Sequence, residues 1–327
     1  MKPIMTPKER AIAALTLQIP DQVPTFELDF QLGMELFGKD LAPQALRLQN
    51  IGKLSAAERD KRLNQLAEDM IYVYEALDYS IIPAPAPGTL GYQEAGFMSP
   101  ELKFMFKKLN ELAKGKRMIA YHADGTYALP DGNDMYEFAY KIADDPDAVH
   151  KEAKRMADAA IQRNKELMEI GVEVGLMCCD YCYNTGPFIS PAMFEEFIQP
   201  YLAKIIDAGR RDGMYMIKHC DGNIMPILDM MVECRPHALH SIDPMAGVDI
   251  KEVKRLVGDK VALAGNVHCA AMQTGTDEEV IASAEYCLTH GKPGGGYIFC
   301  TSNIPFKGMP PERYTMILDI WKRMRNY

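Results

Sequence analysis

The sequence lacks the features that mark several large classes of protein. Positive charge is in deficit: 36 lysines and arginines against 45 aspartates and glutamates give a formal net charge of −9. No dense Lys/Arg stripe with interleaved aromatics occurs. Nucleic-acid and anionic-membrane surfaces need basic patches, so neither partner is expected. No apolar run approaches the roughly 18 residues of a membrane-crossing helix. The opening "MKPIMTPKER" has no apolar leader core. With eight cysteines in no paired framework, this points to reduced thiols and a cytoplasmic location. Tryptophan is nearly absent, one against 22 methionines; methionine can pack around irregular ligands but commonly fills cores. No G-x-G-x-x-G follows the first apolar run, which counts against a dinucleotide-binding doubly wound sheet.

What is present is a repeated alternation. "VPTFELD" (23–29), "DYSIIPA" (78–84), "RMIAYHA" (117–123) and "VEVGLMCCD" (172–180) read as strands, as do "MYMIKHCD" (214–221), "ALHSID" (238–243), "KVALAGNV" (260–267) and "GYIFCTS" (296–302). Each is near-continuous in apolar residues, as strands covered on both faces are. Between them lie stretches of helical period. "TPKE" offers a capping box from Thr6 to Glu9, Ser190 offers an N-cap before Pro191, and Gly209 and Gly291 sit where helices should stop. Eight strands with intervening helices over 327 residues predict an α/β fold, a (β/α)8 TIM barrel with an N-terminal helical elaboration, as one domain over 1–327. "PAPAPG" (83–88) reads as a stiff insertion, and "GKPGGGY" (291–297) as a turn before the last strand.

In such a barrel the active site lies at the strand C-termini. Those ends carry Glu27 and Asp29, His122 and Asp124, Asp180 and Tyr181, His219 and Asp221, Asp243, Asn266 and His268, and Ser302 and Asn303. Strand ends are often polar because they meet water, but three of seven histidines at one rim is more than that explains. Residues two apart on a strand share a face, so His219 and Asp221 point together and Cys220 points away. The pair could bind a divalent metal or orient one group for proton transfer. The C-x-x-C of Cys179 and Cys182 has no second ligand pair, so neither a structural zinc nor a disulfide is expected.

"CDYCYNTGPFISPAMFEEFIQPYLAKI", "IKHCDGNIMPIL", "LHSIDPMAGVDIKEVKRLVGDKVALAGNV" and "GGYIFCTSNIPFKGMPPERY" together resemble the uroporphyrinogen decarboxylase superfamily, over nearly the whole chain. The resemblance implies a (β/α)8 barrel and one of two chemistries: decarboxylation of porphyrinogen acetates, or methyl transfer involving corrinoid proteins. The decarboxylases carry an arginine-rich stretch after the first strand, where this chain has "PTFELDFQLGMEL". The thiol-methylating zinc enzymes carry H-x-C and a later cysteine, where this chain has His219 and Asp221, and then Asn303. The resemblance therefore implies a methyltransferase that demethylates a small methylated donor, such as an aromatic methyl ether, and passes the methyl to the cobalamin of a partner corrinoid protein. No D-x-H-x-x-G motif for holding a corrinoid is present in the chain itself. On this reading His219, oriented by Asp221, acts with Asp180 and Tyr181 in catalysis. Glu27, His122, Asn266, His268 and Asn303 position the substrate, Met177 contributes to an apolar wall, and any zinc falls to His219 and Asp221. The alternatives are a carbon–carbon lyase acting on a tetrapyrrole or other carboxylate, and a non-catalytic barrel that binds a small ligand.

Overall fold

A computed structural model describes residues 4–83, 98–132 and 134–327. Its parallel strands are β1 (Ile81–Ile82), β2 (Met118–His122), β3 (Val174–Met177), β4 (Tyr215–Cys220), β5 (Ala238–Ser241), β6 (Ala262–Val267) and β7 (Tyr297–Thr301). Each is hydrogen-bonded to the next in chain order, the order that repeated strand–helix units produce. Residues 23–27 complete the ring between β7 and β1. Phe299 N–H donates to Pro24 O at 2.9 Å, Thr25 Oγ1 to Phe299 O at 2.7 Å, and Ser80 N–H to Thr25 O at 2.8 Å. The fold is a TIM barrel.

The strand expected at 23–29 is thus reduced to one bridge, Thr25 to Phe299. Pro24 has no N–H to donate, and Thr301 N–H bonds the Glu27 side chain at 3.0 Å instead of a backbone carbonyl. The strand expected at 78–84 shrinks to two residues. The insertion expected at 83–88 lies, beyond Pro83, outside the described residues.

Strand alternation sorts the side chains into two layers. Ile81, Met118, Ala120, Val174, Leu176, Ile217, Ala238, Ala262, Ala264 and Ile298 fill the barrel. Helix Pro7–Leu15 closes its floor with Ala11, Ala14 and Leu15. The outward set, including Tyr121, Met177, Met216, Cys220, Leu239, Leu263 and Phe299, packs on surrounding helices through residues such as Ala160, Leu167, Leu202 and Ile206.

Local signals fix most helix starts. Glu9 N–H donates to Thr6 Oγ1 while Thr6 N–H donates to the Glu9 carboxylate, and Ser190 caps through Met193 N–H. The helix expected to stop at Gly209 runs on to Asp212 and stops at Gly213, whose φ is 98°. Gly209 is there for space: a Cβ would sit 2.5 Å from Met216 Sδ. The run 291–297 does form a turn, with Gly294, Gly295 and Gly296 all at positive φ. No helix among the described residues is long and apolar enough to cross a membrane.

Candidate active site

The C-terminal ends of the strands open into a cavity of about 710 Å³. Residues 28–47, including the short helix Gly33–Phe37, form much of its wall. Six residues singled out in the sequence line it: Asp29, His122 from β2, Asp180 after β3, His219 on β4, Asp221 just beyond, and Asn303 after β7.

His219 stands at the centre. Its Nε2 lies 3.5 Å from Asp180 Oδ1 and 3.6 Å from Asp221 Oδ1. The two carboxylates are tied down in turn. Asp221 N–H donates to Asp180 Oδ1 at 2.9 Å, Ser241 Oγ to Asp221 Oδ1 at 2.7 Å, and Asn303 Nδ2 to Asp221 Oδ2. Burial pushes the Asp221 carboxyl above its ordinary range, against the pull of His219. Burial also lowers His122, with Asp29 opposing. Ser241 and Ile242 have φ of 86° and 50°. A β-branched residue at positive φ is a strained one, the kind of backbone found at functional sites; here it ends β5 and accompanies the Ser241 hydroxyl bound to Asp221.

Asp221 was expected to orient His219, but it faces the same nitrogen that meets the cavity. The contact behind the ring is His240, whose Nδ1 lies 2.8 Å from His219 Nδ1. His240 was not picked out from the sequence. Its signal was there: strand alternation places a histidine in the middle of "ALHSID" in the interior layer, beside His219 in the parallel register.

Other expected site residues lie elsewhere. Tyr181 is fully buried, its hydroxyl 2.6 Å from Thr126 Oγ1. Met177 belongs to the outward layer and is also fully buried. Glu27 is buried against Thr301 and Tyr314, not in the cavity; burial pushes its carboxyl up to about 8. Asn266 and His268 line a separate open depression of about 390 Å³ with Asp249, Ser283 and Tyr286. There Asn266 Nδ2 donates to Ile242 O, and His268 caps the helix Cys269–Thr274.

Lys218, also missed, alternates outward and is fully buried. Its ammonium donates to Asp124 Oδ2 at 3.0 Å, Cys179 O at 2.6 Å and Met177 O at 3.3 Å, and lies over the Tyr181 ring. Burial is the largest influence and works against the charge, but Asp124 together with Tyr181, Cys179 and Cys220 outweighs it and holds Lys218 well above the ordinary lysine range. The pair pins the loop 178–181 that presents Asp180.

Asp180, His219 and Asp221 offer donor atoms all within 4.8 Å of one another. One imidazole and two carboxylates suit zinc or a harder divalent ion and differ from a thiolate set. The eight cysteines are free thiols. Cys178 lines the cavity but is not part of the cluster, and burial raises its thiol. Among the described residues the cavity carries five carboxylates (Asp29, Glu35, Asp40, Asp180, Asp221) against Lys39, Arg47 and Lys307. Lys39 is already paired with Asp69 at 2.7 Å. The cavity is acidic, although the fold brings one arginine to its wall.

A sequence model described as uroporphyrinogen decarboxylase (URO-D) matches residues 126–324. The uroporphyrinogen decarboxylase of Thioalkalivibrio sulfidiphilus is 26% identical over 207 residues, 59% of this chain and 54% of that one. That of Shewanella halifaxensis is 27% identical over 200 residues, 58% and 52%. The chain thus matches about half the length of these curated relatives. A methyltransferase from Methanosarcina mazei shares the fold, with a TM-score of 0.73 at 17% identity over 98% of this chain and 99% of that one.

Proposed function

The chain belongs to the uroporphyrinogen decarboxylase (URO-D) family, and we propose that it is a methyl-transferring member rather than a decarboxylase. It would take a methyl group from a small donor, an aromatic methyl ether, and pass it to a cobalamin carried by a partner corrinoid protein. One observation carries the reading: the Asp180–His219–Asp221 cluster at the base of an acidic cavity. The Methanosarcina mazei methyltransferase, which shares the fold, lends the reaction class.

A reduced cobalamin, when its carrier docks, would supply the nucleophile for the methyl carbon. The chain's own task is the leaving oxygen, since an alkoxide or phenoxide departs poorly unless it is protonated or coordinated. His219 Nε2 faces the cavity with two carboxylates beside it, so a proton carried on that nitrogen can be delivered to that oxygen. A divalent cation held by Asp180, His219 and Asp221 would supply Lewis acidity at the same place. His122 and Asn303 flank the site and position the donor.

The curated relatives and Arg47 favour the decarboxylase reading. Against it stand five carboxylates around the cavity, which would repel a porphyrinogen bearing many carboxylates of its own. The deciding experiment is a methyl-transfer assay with reduced cobalamin and a panel of methoxylated aromatics, with metal analysis of the same preparation. Formation of methylcobalamin supports the proposal. Coproporphyrinogen formation with saturation kinetics, and no methyl transfer, replaces it with decarboxylation.

A further inference from the structure

Parallel pairing sets His219 of β4 opposite His240 of β5 and brings their Nδ1 atoms to 2.8 Å. Between two neutral imidazoles, only one of those nitrogens can carry the shared hydrogen. We propose that His240 is a positioning residue whose Nδ1 lone pair accepts the hydrogen bond from His219 Nδ1–H, leaving His219 Nε2 as the working atom toward Asp180 and Asp221.

The opposite assignment puts the neutral His219 hydrogen on Nε2. In that form Nε2 offers no lone pair to a cation. As an acid it would have to give up its last ring proton and leave an imidazolate. The two roles that the proposed function gives His219, on which this inference rests, therefore both need Nδ1 to keep its hydrogen. His240 must then carry its own hydrogen on Nε2, and that atom is buried without a polar partner. Its surroundings agree: on the far side His240 pairs with Ala264, and the Phe26 ring lies edge-on with centroids 5.8 Å apart. A buried N–H without a partner is rare. The assignment thus leaves one buried donor unmet, a cost set against the two roles of His219. Small neighbours, Ala238, Ala262 and Ala264, leave room in the barrel interior for two imidazoles.

The test reads the tautomers directly. In protein labelled with 15N-histidine, without added metal and at mildly alkaline pH, ring correlations show which nitrogen is protonated. His219 is identified by the signals lost in His219→Gln. The expected result is His219 protonated at Nδ1 and His240 at Nε2. Calorimetric zinc titration gives a second readout. His240→Asn keeps an acceptor near the Nδ1 position and should hold affinity within a few-fold. His240→Leu should weaken zinc binding by about 10–100-fold and let the His219 tautomers mix. Wild-type protein with His219 protonated at Nε2 overturns the proposal, as does a folded His240→Leu variant with unchanged tautomer and affinity. If that variant does not fold, the wild-type spectrum alone decides. Neither readout involves methyl transfer, so an inactive donor panel defeats the reaction class without touching this assignment.

Discussion

At the scale of single residues, His219 and Cys220 are neighbours with opposite surroundings, and the contrast is testable. His219 faces the cavity, whereas Cys220 is packed outward, with Tyr181 N–H on its sulfur at 3.3 Å. General acid catalysis contributes about 10²–10⁴-fold, so His219→Ala should lower turnover by about that factor with secondary structure retained in circular dichroism. Cys220→Ala should leave turnover nearly unchanged and lower only the urea midpoint. Glu27 makes a different prediction. Burial raises its carboxyl from 4.5 to about 8, against the hydrogen bonds from Thr301 and Tyr314. Between those values the folded protein keeps a proton that the unfolded chain has released. Stability from this group is therefore full below pH 4.5 and is lost as pH rises toward 8, with a slope of at most about 1.4 kcal/mol per pH unit. Urea midpoints measured across that range should decline in the wild type and decline less in Glu27→Gln.

At the scale of elements, the Lys218–Asp124 pair joins β4 to the loops after β2 and β3. Removing one partner of a buried ion pair typically destabilises by about 3–5 kcal/mol. Lys218→Met should fall in that range by urea denaturation, and Lys218→Met with Asp124→Asn should recover part of the loss. The same stretch shows what the sequence could and could not reveal. Alternation correctly separated His219 and Asp221 from Cys220, because β4 is regular over six residues. The same period turns Met177 outward, away from the cavity wall expected for it, and it no longer holds at Tyr181, which lies past the end of β3 in a loop. The strand expected at 23–29 keeps its place along the chain only as residues 23–27 and loses most of its ladder, because a proline and a carboxylate replace backbone partners. Gly209 looked like a helix stop because its other use, clearance for Met216, depends on a residue seven positions on. Gly222 is firmer: its φ is 82° and a Cβ would meet Cys182 O at 2.5 Å. Gly222→Ala should therefore displace the Asp221 loop and reduce activity more than it reduces the urea midpoint.

At the scale of the whole molecule, six cavity-lining residues are legible because barrel geometry gathers strand ends wherever they fall in the sequence. His240 and Arg47 were not picked out: one lies inside the ring, the other arrives on a wall built by residues 28–47. The charge around that wall predicts that uroporphyrinogen binds weakly, without a saturable rate of coproporphyrinogen formation up to millimolar substrate. The seam of the barrel has a consequence for synthesis. Val23 N–H donates to Arg325 O, and Trp321 Nε1 donates to Val23 O across 298 positions of sequence. Thr25 can meet β7 only once residues near 299 exist, and the outer clamp waits for residues 321–325. A nascent chain on the ribosome must therefore hold β1 through β6 as an open sheet with bare edges, the state most prone to pairing with other chains. Closure of the ring is then a late event that couples the two ends of the described chain, and translation arrested before residue 321 should leave a protease-sensitive product even with every strand already made.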